Sequence, residues 1–188
     1  MIKIDDRLLK LFASIFIWGA MAALGTILIQ IPSNWSWYFQ LRKPFFPLFF
    51  DFQWGRIAIV FIFLTAALSF YLIWENEGRP RNKKWERGLI LGNIRWQREL
   101  LKGRGWKVNL FFNIFLIVFL TLCWFFIFFH QHNLQIALIF SLLTVILVTS
   151  GVVNFFRISK VAGYLLIPYG LWFLALTVFN YYLWFLNL

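Results

Sequence analysis

Five apolar runs, at 8–31, 57–74, 108–129, 134–156 and 161–186, constrain this chain more than any other feature. Each is long enough, or nearly so, to cross a hydrocarbon core that needs ~20 helical residues. None carries a charged residue past its first turn. In lipid the backbone must satisfy its own hydrogen bonds, so such runs close as helices or as barrel strands. Barrel strands would alternate polar and apolar residues over ~10-residue segments. These runs are apolar on every face, so they predict an all-α fold: a single-domain, polytopic bundle of five transmembrane helices. The composition agrees. Only 13% of the residues are charged, against roughly 25% in a soluble chain, which is too little to clothe a water-facing globule.

The basic residues set an expected orientation. There are 18 Lys and Arg against 7 acids. Lys3, Arg7 and Lys10, ten residues between Arg79 and Lys107, and Arg157 and Lys160 all fall on one side of the membrane. Arg42, Lys43 and Arg56 fall on the other. The positive-inside rule places the N-terminus and the 75–107 loop in the cytoplasm and the C-terminus opposite. Membrane orientation accounts for the basic excess, so no nucleic-acid partner is expected. Within the loop, Trp85, Leu89, Trp96 and Leu100 recur near helical spacing among basic residues. Residues 82–103 are therefore expected to form an amphipathic helix on the inner leaflet, its basic face toward anionic lipid. A disordered basic loop is the alternative, because Gly88 and Gly92 weaken a helix.

Several chemistries are excluded or unsupported. The single cysteine, Cys123, cannot make an intrachain disulfide or a CxxC metal site. The membrane interior holds no carboxylate, Arg or His, and such groups normally mark ion paths, so an ion-coupled transporter is not expected. No P-loop, HExxH or GxSxG motif is present, so the residues suggest neither a conventional hydrolase nor a kinase. What remains is aromatic. Trp35, Trp37, Tyr38, Trp54, Trp74, Trp106 and Trp184 sit near span ends, at the depth where amphipathic rings anchor. A few polar groups lie inside, among them Asn113, Thr121, Tyr169 and Asn180. His130 and His132 share a side with Arg42 and Lys43. Axial ligation of a haem iron is one reading of them, and a short polar loop is the other.

Ordered motifs connect these features. The segment Trp37-Tyr38-Phe39-Gln40-Leu41-Arg42-Lys43-Pro44 resembles the WYxxLxKP signature of the TspO/MBR family of tryptophan-rich sensory proteins. Ser69–Trp74 is similar to the family's ending of helix two, and Trp124 with Phe128-Phe129 to its helix-three pattern. Ser159, Ala162, Leu165-Leu166, Pro168-Tyr169, Trp172, Asn180-Tyr181 and Trp184 fall at the spacing SPLAxxLLxPYxxWxxxxxxxNYxxW. There are departures. The Pro-Pro pair after KP is replaced by Phe45-Phe46-Pro47-Leu48. The helix-two Trp maps onto Ile59 counted back from Trp74, or onto Trp54 if residues are inserted. The chain ends Trp184-Phe185-Leu186-Asn187-Leu188, without the basic residue of the family's sterol pattern.

The resemblance implies an aromatic pocket near the first loop that binds a porphyrin such as protoporphyrin IX, or haem. Its implied site residues are Trp172, Trp54, Tyr38, Trp37, Trp124, Tyr169 and Asn180, with Arg42 and Lys43 for the propionates. It also implies a possible homodimer, for which the small residues Gly19-Ala20, Ala22-Ala23 and Gly25 of the first span are the candidate face. Some members are proposed to degrade porphyrin in light through pocket tryptophans; no enzymatic activity is expected from the residues themselves. The runner-up expectation is a lipid- or isoprenoid-binding scaffold whose basic loop recruits anionic lipid or a protein partner.

Overall fold

A computed structural model describes residues 6–44, 53–76 and 105–188. The proposed amphipathic helix at 82–103 lies outside them. Six helices follow in order: α1 (Asp6–Gln30), α2 (Pro32–Gln40), α3 (Gln53–Glu75), α4 (Gly105–Phe129), α5 (Leu134–Ile158) and α6 (Lys160–Leu186). The five long ones have 23 to 27 residues, about 35–40 Å at the helical rise, enough to span a bilayer core. The second apolar run, the shortest in the sequence, is extended backward through Gln53 and Trp54.

Pro32, which the sequence places at the end of the first span, has two jobs. Ile31 adopts an extended backbone (φ −62°, ψ 123°) that ends α1, and Pro32 then opens α2 as its first residue. Proline suits that position because its missing N–H would be unpaired there anyway. The last two turns are capped by side chains. Asn133 caps α5 by accepting from the Ile136 N–H at 3.0 Å. Ser159 is the single residue between α5 and α6, and its hydroxyl accepts from the Ala162 N–H at 3.4 Å.

The long helices pack as a closed ring in the order α1, α3, α6, α5, α4 and back to α1, with α2 laid against α1. Without a hydrophobic drive between helices in lipid, close packing and interhelical hydrogen bonds hold such a ring. The Ser14 hydroxyl donates to the Ala67 carbonyl, joining α1 to α3. Ser69 donates to the Ala162 carbonyl at 2.6 Å, joining α3 to α6. At Gly25 a Cβ would stand 2.7 Å from the Phe125 ring, which marks how closely α1 approaches α4. Outside, Phe12, Phe16, Phe61, Phe115, Ile146 and Leu171 are exposed, an apolar surface that suits lipid.

The small residues of α1 divide between two surroundings. Gly25 is buried against Phe125, whereas Gly19, Ala22 and Ala23 line an apolar groove of about 490 Å³ between α1 and α3, with Trp18, Phe63 and Ala67 also lining it.

Candidate aromatic binding site

Helix periodicity builds the interior. Tyr169, Trp172, Phe173, Leu176, Phe179, Asn180 and Leu183 recur three or four residues apart along α6 and are all buried. From α4 come Thr121, Trp124, Phe125, Phe128 and Phe129, also buried. α2 adds Tyr38, which is 1% exposed, and the half-buried Trp37.

These rings form a continuous run of contacts. Trp37 meets Phe128 edge-on at 5.5 Å between centroids. Phe128 stacks on Trp124 at 5.2 Å and 22°. Trp124 contacts Phe173 at 6.3 Å, Phe173 contacts Tyr169 at 5.1 Å, and Tyr169 meets the edge of Trp18 at 5.1 Å and 84°. Offset and edge-to-face pairs of this kind contribute about 0.5–1.5 kcal/mol each beyond the area they bury. The run reaches from the first loop, through α4 and α6, to α1.

The polar groups inside fall into two kinds. Tyr169 and Thr121 are a satisfied pair, their hydroxyl oxygens 2.7 Å apart. Since Thr121 donates to the Ile117 carbonyl at 2.8 Å, its one proton is committed and the Tyr169 O–H is the donor between them. Asn180 is the opposite case. It is fully buried, and neither its amide nitrogen nor its oxygen meets a hydrogen-bond partner among the described residues; the indole N–H groups of Trp124 and Trp18 share that condition. A buried polar group left unpaired costs about 1–3 kcal/mol, so these four atoms are among the interior's available points for recognising a polar edge.

α2 forms a roof over the end of the bundle and is fastened at three places. Asn34 donates to the Leu28 carbonyl at 2.7 Å, tying α2 to α1. Trp37 stacks on His132 of the α4–α5 turn at 4.2 Å and 14°, while His132 Nε2 lies 3.4 Å from Asn34 Oδ1. His132 takes a left-handed backbone (φ 56°) to do so, a conformation that costs a non-glycine residue and persists only where surrounding contacts enforce it. Beyond α2, Asn187 at the end of α6 accepts from the Arg42 N–H at 2.9 Å and donates to the Arg42 carbonyl at 3.0 Å.

The residues singled out from sequence are placed as follows. Tyr38, Trp124, Trp172, Tyr169 and Asn180 are buried in the interior, and Trp37 lies at the roof. Lys43 holds its ammonium 4.1 Å above the Tyr38 ring and 4.6 Å above Phe39, a cation–π contact. Arg42 is exposed at the rim. Trp54 belongs to the first turn of α3, and its side chain lies outside the described residues; Ile59, the alternative for the same motif position, is half-buried against the core. Sequence reasoning did not find Trp18, Asn34 or Asn187, nor the stacking role of His132. A tryptophan mid-span reads as packing, and contacts such as Arg42 with Asn187, 145 residues apart, leave no local signal.

Fold and interior together define a multi-pass membrane protein: an all-helical bundle, closed around a large buried aromatic cluster. Comparison with known families matches residues 12–185 to the TspO/MBR family, and the chain belongs to it. No curated protein matches the chain significantly.

Proposed function

We propose that this protein binds a tetrapyrrole of the protoporphyrin class in its aromatic interior and acts in sensing, buffering or moving that ligand. The observation that carries the reading is the pairing of a buried aromatic cluster with unpartnered hydrogen-bonding atoms on Asn180 and Trp124. Flat π-faces favour a flat π-ligand. Buried polar atoms without partners are the groups a bound ligand would satisfy. The rim carries the matching charge: the exposed Arg42 offers a planar guanidinium to a propionate, and Lys43 stands beside it over Tyr38. Trp172, buried on the same face of α6 as Asn180, is the proposed ring-stacking residue. Entry of a ligand this wide requires α2 to lift, so the fastenings at Trp37, His132 and Asn187 would set access.

The test separates ring stacking from lipid association. Trp172→Phe should weaken protoporphyrin IX binding about two- to tenfold, the range expected for one aromatic pair. The Arg42→Ala/Lys43→Ala double variant should weaken it a few-fold, as exposed charge contacts do. Neither should change association with phospholipid vesicles. Unaltered porphyrin binding in both variants, or an equal loss of vesicle association, would count against the site.

A further inference from the structure

At the opposite end of the bundle, Arg157 occupies the last turn of α5 with only 6% of its surface exposed. Its Nε and Nη1 are fully buried and have no hydrogen-bond partner among the described residues. Of the side-chain carboxylates among the described residues, Asp6 pairs with Lys10 at 2.6 Å and Glu75 with Arg7 at 3.4 Å. Arginine retains its charge in proteins, and a buried charge normally demands both a counter-charge and hydrogen bonds. Favourable placement at the α5 C-terminus meets part of that demand through the helix dipole. It does not meet the directional need of the two N–H groups. The start of α6 one residue beyond Ser159 brings a positive helix end to the same turn, so the two dipoles largely offset and the guanidinium dominates.

We infer that Arg157 anchors a phosphate-binding site at the α5–α6 turn. A phosphate supplies several acceptor oxygens and negative charge together, which matches a guanidinium with unpaired donors. The turn lies at the membrane end where Arg7, Lys10, Glu75 and Lys160 collect, the depth of lipid headgroups. The phosphate therefore has two sources, the headgroup of an anionic phospholipid from that leaflet or the free ion. The site is distinct from the aromatic interior and does not depend on it.

The experiment uses the full chain, delipidated in a non-phosphate detergent, as wild type, Arg157→Met, Arg157→Lys and Lys160→Gln. Thermal stability is read after adding phosphatidylglycerol, phosphatidylcholine or inorganic phosphate, and native mass spectrometry counts retained lipid. Wild type should gain stability with phosphatidylglycerol and retain a lipid adduct, and Lys160→Gln should behave the same way. Arg157→Met should bind roughly tenfold or more weakly, with Arg157→Lys between. Without added phosphate, Arg157→Met should be at least as stable as wild type, because it removes an unpaired buried charge. A wild-type gain with inorganic phosphate alone, lost in Arg157→Met, would support the site and assign it to the free ion. An equal phosphate response in wild type and Arg157→Met, or an Arg157→Met variant less stable than wild type without phosphate and unchanged in its response, would overturn the inference. If Arg157→Met does not fold, a wild-type response in Arg157→Lys to every phosphate source would overturn it too.

Discussion

At the scale of the residue, two buried polar side chains predict opposite outcomes. Thr121 accepts a hydrogen bond from the Tyr169 O–H and donates its own to the Ile117 carbonyl. Thr121→Val preserves shape but strands the phenol, so unfolding should be easier by about 1–3 kcal/mol. Asn180 has no partner to lose among the described residues. Asn180→Leu should therefore leave the ligand-free protein as stable or raise its stability by about 1 kcal/mol, while weakening porphyrin binding. Thermal unfolding in detergent, with and without protoporphyrin IX, reads both signs. A destabilised ligand-free Asn180→Leu would show that the amide has a structural partner. Both residues were legible in the sequence as rare polar groups inside apolar spans. Which of them is satisfied was not, because that depends on a neighbour 48 residues away.

At the scale of the element, glycine positions report how tightly the helices meet. A Cβ at Gly163 would fall 2.5 Å from Cγ of Phe156, the root of the ring, which cannot swing aside without moving the turn at Ser159. At Gly170 the nearest atom is a Val148 methyl at 3.2 Å, and at Gly19 nothing lies within 4 Å. Overpacking costs about 1–3 kcal/mol, so Gly163→Ala should lower the melting temperature most, Gly170→Ala less, and Gly19→Ala scarcely or not at all. The roof makes a second prediction. Asn187→Ala removes both hydrogen bonds that hold the Arg42 backbone, so porphyrin should associate faster in stopped-flow mixing, and an unchanged rate would remove α2 from the entry path. The long spans were readable because hydrophobicity on every face needs no partner to interpret. The roof was not. A nine-residue helix is too short to stand alone in water, and α2 is held by Asn34, Trp37 and Asn187 through contacts far apart in sequence.

At the scale of the whole molecule, five crossings put the two termini on opposite faces. One end collects Arg7, Glu75, Arg157 and Lys160, the other Arg42, His132 and Asn187. By the positive-inside rule we propose that the first end is cytoplasmic. In a Cys123→Ala background, Lys84→Cys should be shielded from an impermeant maleimide applied outside intact cells, while Gln131→Cys should react. The reverse pattern would invert the proposed topology. The family was legible from ordered aromatic motifs spread from the first loop to α6, several of whose residues, Tyr38, Trp124, Phe128, Tyr169 and Trp172, face one shared interior. The ligand was not, since a cluster of rings specifies a flat apolar face without naming the molecule. Titration of the purified protein with protoporphyrin IX, followed by tryptophan quenching and the Soret band, addresses that question most directly. The account predicts saturable binding with a shifted Soret band and quenching that Asn180→Leu and Trp172→Phe diminish; folded protein that shows no saturable binding would contradict it.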